Sequence, residues 1–241
     1  MKKKTKDLDF PRPLTTVDLA IFTVAEDALK VLLVERPTEP GEPFPGLWAL
    51  PGGFVDVDHD MDLEDCARRK LVEKTGVASL YLEQLGSWGN ATRDPRDWSV
   101  THAYFSLIAR EPLKLRAGAN AADARWFPIV GNTVRTRLAF DHAEILGTAL
   151  QRLRSKVEYT SLPAFMVPKE FTLTELQHAY EIVLGRPLEK SAFRTRVLAA
   201  KLVEPVNKLR QGPNRPAQLF RLKNSRTPVY FARTFNPRYD K

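Results

Sequence analysis

The chain has 241 residues with ordinary hydrophobic (43%) and charged (27%) fractions, enough for one large domain or two modest ones around a sizeable core. No run of eighteen apolar residues occurs, and the lysine-rich start (Lys2, Lys3, Lys4, Lys6) leads into Asp7 and prolines, so neither a membrane span nor a secretory leader is expected and a cytoplasmic location is. The net charge of +8 is unevenly placed: residues 160–241 hold 15 Lys and Arg against 6 Asp and Glu, a net of +9, while residues 1–159 hold 22 against 23, a net of −1. A localised excess of this kind favours a polyanion partner, because each phosphate neutralised releases condensed counterions.

Taken in chain order, residues 15–24 and 29–34 are rich in Val, Ile and Leu around Glu26-Asp27, which predicts a β-hairpin. Residues 48–55 read as a further strand ended by an acidic loop. Asp62 can cap a helix running to Thr75, with Gly76 placed for a left-handed C-terminal cap. The lone Cys66 falls on the apolar side of that helix, where it reads as a small core residue and rules out an internal disulfide or a Cys-based zinc site. Strands are expected over 80–88, 98–109 and 124–129, and a longer helix over 142–157. Pro163 and Pro168 then suggest a linker, placing a ligand domain at 1–159 and a second domain at 160–241. In the latter, Thr172 or Thr174 can cap a helix to Leu184, stopped by Gly185-Arg186-Pro187. A second helix follows over 189–200, then strands over 202–206 and 218–222 flanking a basic tip. Two helices followed by a hairpin is the order a winged helix-turn-helix needs.

Leu50-Pro51-Gly52-Gly53-Phe54-Val55 and the helix ending at Gly76 resemble the Nudix box of pyrophosphate-cleaving hydrolases, Gly-x5-Glu-x7-Arg-Glu-U-x-Glu-Glu-x-Gly-U with U a bulky aliphatic residue. In that family a helix face of carboxylates holds Mg²⁺, which neutralises the diphosphate and activates water. Aligned back from Gly76, Arg69, Leu71, Glu73 and Val77 match. Lys70 and Lys74 stand where the pattern has metal-binding glutamates, Met61 stands at the earlier glutamate, and Gly53 lies two residues too far upstream. A lysine ammonium offers no lone pair and puts positive charge where the cation would sit. The expectation is a Nudix fold with impaired hydrolysis and no metal site of its own. The acidic run Asp56, Asp58, Asp60 and Asp62 reads as a solvated loop or as a shifted metal site.

Ligand recognition can outlive turnover, since the two use partly different residues. Arg93-Asp94-Pro95-Arg96 is either a surface turn or a pair of guanidiniums suited to bidentate phosphate contacts. It resembles the same segment of ADP-ribose-type Nudix proteins, as does Phe140-Asp141-His142 more weakly. The ligand set expected from this reading is Arg36, Trp48 as a base-stacking surface, Gly52, Gly53, Arg69, Arg93 and Arg96. In the basic domain the second helix presents Lys190, Ser191, Arg194, Arg196 and Lys201 for DNA, while Lys208, Arg210 and Arg215 of the hairpin can reach backbone phosphates.

The combination of a degenerate Nudix box with Arg-Asp-Pro-Arg and the Gly-Pro-Asn-Arg-Pro-Ala tip (212–217) resembles the Nudix-related transcriptional regulators of bacterial NAD metabolism. That resemblance implies an α+β chain in which a Nudix-type mixed-sheet α/β/α sandwich precedes a winged helix-turn-helix. It further implies a homodimeric repressor of NAD biosynthesis or salvage genes whose effector is ADP-ribose or a related nucleotide, with no cofactor required. The alternative is an active ADP-ribose or nucleoside-diphosphate-linked pyrophosphatase with a dimerising basic tail. RNA binding is disfavoured, since the aromatic sheet signature of single-strand RNA readers is absent. The run from Lys2 to Lys6 reads as a solvated tail or a DNA-contacting arm.

Overall fold

The computed structural model describes residues 11–76, 81–109, 122–211, 216–224 and 227–231. The centre of the fold is β1 (Leu14–Ala25), whose apolar run is buried on both faces as expected of an interior strand. Its side chains alternate: Val17, Leu19 and Ile21 face one hydrophobic cluster, while Ala20 and Phe22 face the other. On one side β1 pairs antiparallel with β2 (Ala28–Glu35), through a turn in which Glu26 and Asp27 both take positive φ (53° and 55°), the geometry that matches strand twist in two-residue hairpins. On the other side it pairs in parallel with β6 (Ser99–Leu107), which pairs antiparallel with β5 (Tyr81–Asn90). β7 (Asp123–Pro128) joins β2.

Residues 48–55 do not form one strand. They form β3 (Trp48–Ala49), paired with β2, and β4 (Gly52–Phe54), paired with β1. The chain changes partner at Leu50-Pro51, where proline has no N–H for a ladder and the Leu50 N–H is spent on His142.

Helix α1 (Leu63–Thr75) covers one sheet face through Cys66, Ala67 and Leu71, and α2 (His142–Val157) covers the other through Ile145, Leu146, Ala149 and Leu150. This is the expected α/β/α sandwich. Asp62 caps α1 by accepting the Asp65 N–H (2.8 Å), and Gly76 closes it at φ 71°.

The expected linker is not an exposed one. Leu162–Phe165 form a short 3-10 helix, and Leu162, Ala164, Phe165, Met166 and Val167 are all buried in the cluster that α2 also joins. The apolar content of this segment outweighs its two prolines: Pro163 sits in the first turn, where its missing N–H costs nothing. Beyond it, α3 (Leu173–Leu184) starts at a capping box of Thr172 and Glu175 and ends at Gly185. Then come α4 (Lys190–Ala199) and the hairpin β8 (Val203–Arg210) and β9 (Ala217–Leu222), with Phe171 joined to Phe220 by an isolated bridge. The same core cluster continues through Tyr180, Val183, Phe193 and Val197, so both parts of the chain share one interior. Among the described residues no helix is long and apolar enough to cross a membrane.

Cys66 is 0% exposed, and burial pushes its thiol up to about 12. Since the thiolate is the reactive form, we expect no measurable reaction with an aromatic disulfide reagent at pH 8 in the native protein and full stoichiometric reaction in denaturant. Rapid native labelling would contradict the packing of α1.

Candidate ligand cleft and nucleic-acid interface

The cleft opens over β1, between the Gly52-Gly53 segment, the loop after β2, the loop after β5 and the start of α2. Its floor carries a group that the sequence reading missed. Asp18 is 6% exposed within an otherwise apolar strand. A Cβ on Gly52 would lie 2.0 Å from Asp18 Oδ1 and 2.5 Å from the Val17 carbonyl oxygen, so the first glycine of the pair is there for close approach. His142 accepts the Leu50 N–H at Nδ1 (2.9 Å), which leaves its Nε2–H directed at Asp18, 3.4 Å away. Burial pulls the Asp18 carboxyl up, but His142, a hydrogen bond from Thr101 and the Arg93 charge together hold it below the usual range. A lone carboxylate in an apolar strand was the available signal.

The two arginines of the Arg-Asp-Pro-Arg segment do not act as a pair. Arg93 is 7% exposed; its Nε and Nη2 donate to Asp141 (2.8 Å each) and its Nη1 to Ser99 Oγ (3.2 Å). Its guanidinium is consumed inside the protein, because a charge that deep needs partners. Asp141 correspondingly stands at the N-cap of α2 without a side-chain capping bond. Arg96 instead reaches the cleft wall, where it holds Asp94 bidentately (2.9 and 2.7 Å) and lies over the Phe54 ring. Arg36 lines the same wall, bonded to Glu42 and stacked on Phe140; burial lowers its pKa, and the nearby Arg96 charge adds to this.

Trp48 is not brought into the cleft. Its ring meets Phe127 in a T-shaped contact and carries the Arg125 guanidinium, so it is engaged in packing. Arg69 is likewise occupied: it grips Asp60 through two bonds (2.7 and 2.6 Å) and reaches Glu73 (3.0 Å), pinning the acidic loop to α1. That loop satisfies itself, with Asp56 bonded to His59, Asp60 accepting the Asp56 N–H, and Asp62 spent as a cap. Met61 is 89% exposed. Among the described residues no three His, Cys, Asp or Glu side chains converge as metal donors. Glu73 is shared between Arg69 and Lys70 (3.2 Å), while Lys74 lines the cleft at 5% exposure. This donor set does not fit a divalent cation.

In the basic part, Lys190 and Ser191 are exposed at the start of α4. Arg194 and Arg196 lie two residues apart, about 200° around the helix, and therefore flank it on opposite sides. Arg194 is partly buried and Arg196 lies 4.8 Å over the Phe231 ring. The outermost face instead carries Ser191, Thr195 and Leu198. Lys201 is exposed at a positive φ of 50°. Lys208 and Arg210 are exposed but paired with Glu170 (3.0 Å) and Glu175 (2.8 Å). Arg215, most of the tip and the run from Lys2 to Lys6 lie outside the described residues.

A family profile described as the NUDIX domain matches residues 14–147, and one described as the NrtR DNA-binding winged helix domain matches residues 163–222. Over 213 residues the chain is 47% identical to the "ADPR responsive transcriptional repressor NtrR" of Acinetobacter baylyi, spanning 88% of this chain and 83% of that one. The chain belongs to the NrtR family. The NrtR of Shewanella oneidensis, solved with a 27mer DNA, superposes with a TM-score of 0.81 at 41% identity, over 91% of this chain and 98% of that one. The NUDIX domain of the same NrtR, solved with ADP ribose, gives 0.55 at 41% identity over 62% and 94%. The NrtR pairing of a Nudix sandwich with a winged helix is the fold described above.

Two substitutions test the cleft. Gly52→Ala should cost about 2 kcal/mol or more by overpacking against Asp18 and Val17, read as a lower denaturant midpoint; an unchanged midpoint would show that β4 can move aside freely. In a double-mutant cycle, Arg93→Ala and Asp141→Ala should each cost roughly 3–5 kcal/mol by stranding a buried charge, and the double mutant much less than their sum. Additive losses would show that the pair is not coupled.

Proposed function

We propose that this protein is an ADP-ribose-responsive transcriptional repressor of NAD biosynthesis or salvage genes, acting in the cytoplasm as a homodimer. One observation carries the proposal: a cleft lined by Arg36, Lys74 and Arg96, whose Nudix box has the wrong donors for a metal, shares a continuous core with a winged helix that holds the chain's excess of positive charge. The A. baylyi repressor and the S. oneidensis complexes with DNA and with ADP ribose support both halves of the reading.

In this reading Arg36, Arg96, Gly52 and Gly53 face the effector, and Arg93 and Arg69 hold the walls that position them. Ser191 and Thr195 look outward from α4 toward base edges. Lys190, Arg194, Arg196, Lys201, Lys208, Arg210 and Arg215 supply phosphate contacts around them. Among the described residues no set of carboxylates converges to hold a metal-activated water, which supports ligand binding with impaired hydrolysis.

Communication needs a ligand that binds the two states of the protein unequally, and a coupling of about 1–3 kcal/mol changes operator affinity roughly five- to 150-fold. Helix α2 offers the route. His142 begins it in the cleft, and near its far end Arg154 donates to the Val183 carbonyl of α3 (3.2 Å).

The test is fluorescence anisotropy of the full chain on its own upstream DNA, at fixed salt, with and without ADP-ribose. Specific binding that weakens at least about fivefold with ADP-ribose is expected. Failure to bind that fragment or any NAD-gene promoter specifically would overturn the proposal.

A further inference from the structure

A diphosphate carries two negative charges that some cation must meet. Metal-dependent sites use Mg²⁺ held by carboxylates, and the box here has the opposite polarity. Lys70 and Lys74 are four residues apart, hence on one face of α1, and that face looks toward the Gly52-Gly53 segment. Lys70 Nζ lies 3.2 Å, and its Cε 3.1 Å, from where a Gly53 Cβ would stand. The missing side chain at Gly53, where φ is +154°, is what leaves room for the ammonium. Lys74 is buried in the cleft wall beside Gly52, Gly53 and Phe54. Arg36 and Arg96 approach the same space. Burial and the neighbouring Lys70 charge both lower the pKa of Lys74, while Glu73 raises it, as expected where like charges crowd a desolvated wall.

We propose that Lys74, assisted by Lys70, holds the ligand's diphosphate directly, in the place a divalent cation takes in metal-dependent Nudix proteins, so that this cleft binds its nucleotide without metal. The inference rests on the ADP-ribose reading above. It also explains how the effector survives its own receptor: the charge that binds the diphosphate comes from groups that cannot deliver a metal-bound water to it.

The experiment is calorimetric titration of the full chain with ADP-ribose, once in EDTA and once in Mg²⁺, for the wild type, Lys74→Gln, Lys74→Arg and Lys70→Gln, with thermal melting of each variant. The wild type is expected to bind with the same affinity, within about twofold, in both buffers. Lys74→Gln should bind at least about tenfold more weakly, as fits the loss of a charge-assisted contact, and Lys74→Arg should recover most of that loss. If Lys74→Gln does not fold, Lys70→Gln decides, with a drop of about threefold or more expected. Wild-type binding that requires Mg²⁺ would overturn the inference and leave the repressor reading standing. Unchanged affinity in a folded Lys74→Gln, or in Lys70→Gln when it decides, also overturns it. No binding of ADP-ribose in either buffer overturns the repressor reading and the inference together.

Discussion

The fold is organised around a carboxylate placed where the sheet should be most apolar. Asp18 sits in the central strand and is reached by His142 from α2 and by Arg93 from the loop after β5. Arg93 in turn anchors Asp141 at the head of α2. Left alone, the Asp18 charge would cost several kcal/mol of desolvation; with these partners it ties three segments that are distant in sequence to one point. The Gly-Gly segment, the cleft walls and the start of α2 all take their positions from that point. A buried network of this kind is stabilising only when every member is satisfied. Here each residue already has its partner inside the protein, which leaves the network as scaffold and assigns ligand contact to the groups around it.

How far the sequence could be read depended on the distance between partners. Signals that act within one turn of helix were legible: Asp62 and Gly76 bound α1, Thr172 with Glu175 opens α3, and Gly185 ends it. Runs rich in Val, Ile and Leu located β1 and β2 to within a residue at each end. Contacts across the chain were not legible. Arg93 reads like a surface arginine until Asp141, 48 residues on, is folded against it. Trp48 reads as a stacking platform until Phe127 and Arg125 are packed against it. The segment around Pro163, expected as a linker, is buried because its apolar neighbours outweigh its prolines.

The DNA-facing elements show the same limit in another form. Charge composition indicated a polyanion surface, but it could not sort basic residues by direction. Two of them are neutralised by Glu170 and Glu175. The helix face that points outward is led by a serine, a threonine and a leucine, with arginines at its sides. On the function proposed above, such an arrangement separates reading from gripping, with small polar and apolar groups suited to base edges and flanking cations suited to phosphates.

The turn after β1 gives the central strand a second end. Asp27 in that turn meets His178 of α3 (2.9 Å), while Asp18 lies in the cleft, so β1 runs from the cleft floor to the turn that touches α3, from Asp18 to Ala25 a span of about 23 Å. A hydrogen-bonded strand in mid-sheet does not stretch or shorten. Tilt it at one end and the other end swings, as with a strut. The cleft floor and the contact with α3 therefore lie on one continuous strand that is paired along both edges, so the sheet itself fixes the distance between them.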